Sequence, residues 1–447
     1  MKQFQNPMRD RPVLPLLISM SIPVVLSMLI QSLYNIIDGI WVTKLGTDAL
    51  TAVSLAFPLQ NLIMSAGVGM GIGIGSRVSL ELGAGNREGA SRAASLGTAL
   101  VLLHCLVFLL LGLFLARPFL QLFAKDPLTL EWACDYAQIV LCLSFGELIQ
   151  MCCEKIWQGA GKMVTTMFLM ASGCLINIVL DPILIFGLFG LPAMGVRGAA
   201  IATVIGQISA MLLYIVVYHH RDPGLTIHPR YARFDRQLAR QIYGVGGPSA
   251  LMLAMPSLLT GILNGMLVKL GSVYVAVFGL YFKLQTFINM PANGVLQGMR
   301  PIIGYNYGAG ETGRVRQAIR CSTAIVAAIS AVGTIIAVGC PGAVLRLFDA
   351  DPDLMRHGIP ALRVIGLSFL LSTMPVVASG VFEALGRGRE SLVLSLLRQL
   401  LILVPAAWLL SRFWGATGIW AAFPIAETAA LILSCAQLKK IRDTDLS

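Results

Sequence analysis

The sequence predicts an all-α membrane protein with twelve transmembrane helices in two six-helix lobes related by a parallel internal repeat. Three observations predict it. Of the 447 residues only 12% are charged and 56% are hydrophobic, with a mean hydropathy of +0.78, whereas soluble domains carry about a quarter charged residues. Apolar runs of roughly 20 residues, the length that crosses a bilayer, recur about twelve times. The third observation is a duplication: PVVLSMLIQSLYNIIDGIWVTKLG, from Pro23 to Gly46, returns as PSALMLAMPSLLTGILNGMLVKLG, from Pro248 to Gly271, at an offset of 248 − 23 = 225.

Taken in order, the spans of the first half fall near 13–41, 49–75, 91–116, 132–156, 164–187 and 197–218. The second half supplies 242–268, 273–303, 317–340, 360–385, 391–412 and 416–437. The opening MKQFQNPMRDRPVLPLLISM is a charged lead into a long apolar run that contains Asp38. A signal peptide has a short apolar core and a small-residue cleavage site, so this run reads as a retained first helix. The repeat continues beyond it. Leu82-Gly83-Ala84-Gly85 returns as Tyr307-Gly308-Ala309-Gly310, and Leu122-Phe123-Ala124-Lys125-Asp126-Pro127 as Leu347-Phe348-Asp349-Ala350-Asp351-Pro352, both again at 225. Gly195-Val196-Arg197-Gly198 answers Gly415-Ala416-Thr417-Gly418 at 415 − 195 = 220. Six crossings return the chain to its starting side, so the copies run parallel, an arrangement used by transporters. The lobes are 1–217 and 242–447, joined by a polar cytoplasmic linker, 218–241, YHHRDPGLTIHPRYARFDRQLARQ.

The net charge is +11. In a soluble protein this would suggest nucleic acid; here it follows from the enrichment of Lys and Arg in cytoplasmic loops. With the amino terminus inside, about 19 basic residues fall on cytoplasmic segments and about 9 on outer ones. Both termini are therefore expected inside, and no nucleic-acid partner is expected. The nine cysteines lie almost entirely in apolar segments without CxxC spacing and read as small packed hydrophobes. Gly67, Gly71 and Gly75 lie within a span. They form a small-xxx-small ridge for helix contact, not a nucleotide loop, which needs a strand and a soluble βαβ unit. No Walker A sequence is present, so ATP is not the expected energy source.

Two constellations carry chemistry. Tyr34 and Asp38 are four residues apart, on one helical face, with Gln31 and Asn35 beside them. Asn177 and Asp181 repeat that spacing, and Pro182 follows at once. A charge in mid-bilayer is costly and marks a functional candidate. Such oxygen donors suit a hard cation such as Na⁺, and paired buried acids equally suit proton carriage; the residues do not choose between them. An acid could instead cap a broken helix or pair with a lysine. The duplication is a control against that reading. Leu263 stands where Asp38 would, and the region around Val404-Pro405 where Asp181-Pro182 would. Lys283, near Gln285 and Asn289, is expected to line a polar cavity or to pair with Glu383 or Glu427. Glu147, Glu154 and Lys155 are expected partners. Gln31, Asn35, Gln60, Lys283, Gln285 and Asn289 are the candidates for lining a substrate cavity.

SMLIQSLYNIIDGIWVTKLG, GSRVSLELGAGN, NIVLDPILIFG followed by GVRGAAIAT, and MPANGVLQGMRPIIGYNYGAG together resemble the multidrug and toxic compound extrusion (MATE) family of antiporters, the last stretch its MepA-type branch. The resemblance covers nearly the whole chain in order. It implies two lobes forming a V that alternates between outward and inward cavities. It also implies efflux of amphipathic, cationic drugs in exchange for Na⁺ or H⁺. The family's amino-lobe cation site carries over onto Asp38, Tyr34, Asn177, Asp181 and Thr203, with Asp38 and Asp181 as metal ligands if Na⁺ is the ion. Another branch places acids in helices 7 and 10. Here helix 7 has no carboxylate, and Glu383, the only acid of helix 10, lies near its inner end.

The expectation is thus a secondary active efflux antiporter of the inner (plasma) membrane, not an enzyme, acting as a monomer among lipids on small amphipathic substrates. No cofactor is expected beyond the coupling ion, H⁺ or Na⁺. The alternative is a flippase for a lipid-linked oligosaccharide or another amphiphilic lipid, which would want a basic cavity, with Lys283, Arg300 and Arg398 as its candidates. A membrane-embedded enzyme would need clustered His or acids at one membrane face, which the five histidines do not supply.

Overall fold

The computed structural model describes residues 7–124, 126–221 and 223–444. Lys125, in the first copy of the repeated LFxxDP motif, Asp222 and the extreme ends lie outside the described residues. Among the described residues the chain is helical throughout, with no strand. The first half contains α1 (Pro7–Asp10), α2 (Val13–Thr43), α3 (Thr47–Gly83), α4 (Arg87–Phe114), α5 (Ala116–Gln121), α6 (Pro127–Cys142), α7 (Phe145–Gly159), α8 (Met163–Phe186) and α9 (Gly195–His220). The second half contains α10 (Arg236–Leu267), α11 (Ser272–Gly308), α12 (Thr312–Gly339), α13 (Pro341–Leu347), α14 (Pro352–Leu371), α15 (Thr373–Ala384), α16 (Gly388–Leu396), α17 (Leu403–Trp414) and α18 (Ala416–Thr444). A π-helical turn, Leu397–Ile402, joins α16 to α17.

Among the described residues, ten of these helices, and α16, the π-turn and α17 taken as one, are long and apolar enough to cross a membrane. The expected fourth span, 132–156, is two helices, α6 and α7, interrupted at Leu143 and Ser144. Each piece is too short by itself to cross about 30 Å of hydrocarbon.

The duplication is written in the backbone. Asp126 caps α6 by accepting from the Thr129 amide at 2.8 Å, and Asp351 caps α14 by accepting from the Leu354 amide at 2.7 Å; each cap is followed by proline at the first helical position. Gly85 and Gly310 end α3 and α11 with φ of 73° and 74°, a left-handed conformation that glycine adopts without a Cβ clash. Gly198 lies against the Leu184 carbonyl and Gly418 against the Leu410 carbonyl. That contact sets the offset at the end of α8 to 410 − 184 = 226, one more than at its start, where 388 − 163 = 225. The π-turn lies between, and a π-turn is a one-residue insertion into a helix. In the repeat, Asp181 therefore corresponds to Ala407 rather than to Val404 or Pro405.

By internal contacts the chain separates into two compact units. One, here the first unit, is Leu26–Ala250; the second comprises the residues up to Val25 and those from Leu251 onward. The units thus divide inside α2 and α10, and not at the ends of the 218–241 linker. That stretch is also not a loose tether. Leu225 and Ile227 join the hydrophobic core of the first unit, while the Thr226 and His228 amides donate to Ser91 Oγ and Ser95 Oγ of α4 at 2.9 and 3.1 Å.

In the first unit the expected glycine ridge packs α3 on α7. A Cβ on Gly67 would sit 2.7 Å from Met151 Sδ, and one on Gly75 would sit 2.8 Å from the Lys155 carbonyl oxygen. In the second unit the core is aromatic, with Phe278, Tyr281, Phe369, Trp420 and Phe423 in mutual ring contact. Arg314 of α12 donates to the carbonyls of Met8 and Arg11, tying the leading segment to this unit. Of the nine cysteines, all free, Cys134 and Cys152 are buried as expected, whereas Cys340 and Cys435 are exposed.

Candidate cation site in the first unit

The site is assembled by α2, α6, α8 and α9. Asp38 projects from the second half of α2 and is half-buried, while Asp181 of α8 is fully buried, at 0% exposure. Pro182 sits within α8 without ending it. The carboxyls of Asp38 and Asp181 hydrogen-bond to each other, although 143 positions of sequence separate them. Asn177, one helical turn before Asp181, donates through Nδ2 to Asp181 Oδ1 at 3.3 Å and to Thr203 Oγ1 of α9 at 3.4 Å. Asn177 and Thr203 are 3% and 2% exposed. Tyr34, four residues before Asp38, lies within electrostatic reach of it. Asp38, Tyr34, Asn177, Asp181 and Thr203 are thus brought together.

Four further side chains join the site without having been expected there. The Tyr136 hydroxyl, on α6, hydrogen-bonds Thr203 and accepts from Gln60 Nε2 at 3.2 Å. Gln60, expected in a substrate cavity, is therefore joined to this cluster. Glu147 of α7 pairs with Gln207 of α9 and lies within electrostatic reach of Tyr34. Lys155 bonds Glu154 and Gln158, each at 2.9 Å.

The polar atoms left over are of one kind. Asp38 Oδ1, Asn177 Oδ1, Asp181 Oδ2, Glu147 Oε2 and Gln207 Oε1 are buried oxygens with no donor. A buried acceptor without a donor costs roughly 1–3 kcal/mol, more if charged. Two carboxylates in contact cannot both stay bare. An added cation answers both demands at once, and oxygen donors fit H⁺ or Na⁺. Among the described residues neither aspartate has a basic partner. No group of three His, Cys, Asp or Glu side chains among them forms a transition-metal centre.

The other cavity candidates do not converge on this cluster. Gln31 is half-buried and Asn35 exposed on α2, and Gln285 and Asn289 are half-buried on α11. Lys283, exposed, stands 5.6 Å above the Phe348 ring. Neither acid proposed for it is its partner. Glu383 meets Arg300 at 2.6 Å and Glu427 meets Arg398 at 3.5 Å.

A duplicated, membrane-spanning helical bundle with acids held free of resident bases is the structure of a membrane transporter, not of an enzyme. The MatE family model matches residues 23–183 and again 248–409, and the chain belongs to that family. The Multidrug export protein MepA of Staphylococcus haemolyticus is 26% identical over 93% of this chain and 90% of its own length; that of Staphylococcus aureus strain MSSA476 is 24% identical over 97% and 95%. Among solved structures, a multidrug resistance MATE family transporter of the MOP superfamily in its outward-facing conformation superposes with a TM-score of 0.90, at 26% identity, covering 98% of this chain and 99% of that one. A MOP superfamily transporter from Pyrococcus furiosus, described as having a binding pocket of reverse polarity, also gives 0.90, at 27% identity, covering 100% and 99%.

Proposed function

We propose that the protein is a secondary active efflux antiporter. It exports amphipathic, cationic drugs or metabolites in exchange for H⁺ or Na⁺ taken up at Asp38 and Asp181. The observation that carries this reading is the set of buried acceptor oxygens around those two acids, which no donor among the described residues satisfies. The names of the multidrug-export relatives support the cargo class, and the charge distribution along the sequence supports a plasma-membrane location with both termini cytoplasmic. It works as a monomer surrounded by lipid.

Cation entry removes one negative charge from the carboxylate pair and bridges α2 to α8. Cargo leaves because the two ligands favour different arrangements of those helices, a negative coupling that is reciprocal by thermodynamic necessity. Pro23 within α2 removes a backbone donor and gives that helix a place to bend. Of the flippase alternative's basic candidates, Arg300 and Arg398 each already face an acid, which leaves Lys283 alone.

The test is uptake of ethidium into proteoliposomes under an imposed Na⁺ gradient and, separately, a pH gradient. One of the two should drive accumulation, and Asp38→Asn should abolish it while inserting normally. Accumulation driven by neither gradient, or equal accumulation in Asp38→Asn, would overturn the proposal.

A further inference from the structure

The cation site leaves one mid-membrane charge pair unexplained. Arg398 lies in the π-turn near the middle of the 388–414 span, and Glu427 near the middle of the 416–443 span. Their counterparts in the first unit are Gly173, at 398 − 173 = 225, and Gln207, at 427 − 207 = 220. The same exchange occurs a second time. Arg300 answers Gly75, at 300 − 75 = 225, and Glu383 answers Gln158, at 383 − 158 = 225. Twice, then, a glycine and a glutamine of the first unit become an arginine and a glutamate of the second.

At Gly173 a Cβ would sit 2.9 Å from the Gly206 carbonyl oxygen, so α8 and α9 touch there backbone to backbone. An arginine does not fit such a contact. Where Arg398 takes the position, the helix opens into the π-turn, a distortion that recurs at functional sites. The two pairs are not equally closed. Arg300 and Glu383 meet at 2.6 Å with the Glu383 side chain 4% exposed, whereas Arg398 and Glu427 stand 3.5 Å apart with side chains 20% and 15% exposed. Charge-assisted hydrogen bonds close to about 2.7–2.9 Å, so the second pair is slack. Charged groups at mid-span do not face lipid but a bundle interior or water-filled space. Glu427 also keeps one buried oxygen, Oε2, without a donor.

We propose that Glu427 is a specificity-determining carboxylate for positively charged cargo. Arg398 is the resident cation that a cationic group of the cargo replaces. The inference rests on the efflux reading and adds to it a charge filter in the second unit. A cargo with one positive charge gains little by exchanging one cation for another on Glu427. A second positive charge, brought by the same molecule, is what the carboxylate rewards.

Ethidium and propidium share one phenanthridinium ring and carry one and two positive charges, so the ratio of their dissociation constants reads the filter. Purified parent, Arg398→Gln, Glu427→Gln and the double variant are titrated with each dye by fluorescence, with folding checked by thermal melting. Arg398→Gln should tighten propidium relative to ethidium by about tenfold, in the range measured for close charge pairs. Glu427→Gln should shift the ratio the other way, and the double variant should behave as Glu427→Gln does. A single variant that does not fold leaves the double variant, which buries no unpaired charge, to carry the comparison. A ratio unchanged within about twofold in every folded variant would make the pair structural and overturn this inference alone. Binding of neither dye by the parent would overturn the efflux reading and the charge filter with it.

Discussion

The two units share caps, turns and helix order, yet they treat charge in opposite ways. In the first unit Asp38, Tyr136, Asn177, Asp181 and Thr203 converge. The residues at their positions in the second unit are Leu263, Ala361, Leu403, Ala407 and Phe423, and all five belong to one buried hydrophobic cluster. Glu383 and Glu427 of the second unit, by contrast, come with arginines already in contact. One architecture is therefore stable both with a dry aromatic core and with a polar cluster at the same place. The acids of the first unit are not needed to build the fold. What sets them apart is that, among the described residues, neither aspartate has a basic partner.

The contrast can be broken by exchange. The largest effect is expected for Leu263→Asp, which puts a carboxylate at a position 0% exposed in an apolar core. It should cost several kcal/mol and prevent recovery of monodisperse protein, whereas Asp38→Leu should keep or raise the melting temperature, since a well-packed hydrophobe often replaces a buried polar group at no cost. Next, Glu383→Gln leaves Arg300 without its carboxylate. The penalty for breaking a buried pair is about 3–5 kcal/mol, with the lower end expected because Arg300 is 22% exposed, read as a lowered melting temperature. Asn177→Ala removes one hydrogen-bonding amide, so cation affinity should weaken by about tenfold, one buried hydrogen bond of roughly 1–1.5 kcal/mol, with the fold intact by calorimetry. The smallest effect is expected at the caps. Asp126→Ala and Asp351→Ala should each raise hydrogen exchange only in the first turn of α6 or α14, and equally. The Thr129 amide holds the Asp126 carboxyl below the usual range, so its capping is present at neutral pH and is lost as the pH falls below about 4.

Much of this was legible in the sequence because composition and the 225-residue offset are local or self-referential signals. Eleven of the helices follow from apolar length alone, and Asp38 against Leu263 already marked the difference between halves. The partners across helices were not legible. Tyr136, in DYAQIVLC, has no local feature that distinguishes it from a packed tyrosine, and nothing in Glu147 or Gln207 says that they meet. The repeat did hold a signal for Tyr136: aligned column by column, it opposes Ala361, just as Asp38 opposes Leu263. The π-turn stayed hidden because it needs the positions of Gly198 and Gly418 against α8 and α17 to reveal one extra residue. Lys283 was assigned Glu383 and Glu427, which pair instead with Arg300 and Arg398, a pairing that only three-dimensional packing reveals.

The central claim, that Asp38 and Asp181 hold a cation whose binding opposes that of cargo, is tested most directly by ethidium affinity in detergent as a function of Na⁺ and, separately, of pH. In the parent protein, raising one of these cations should weaken ethidium binding by about 5–150-fold, the usual range of coupling between sites, and Asp38→Asn should remove that dependence. A parent indifferent to both cations, or an Asp38→Asn variant with the parent's full dependence, would contradict it.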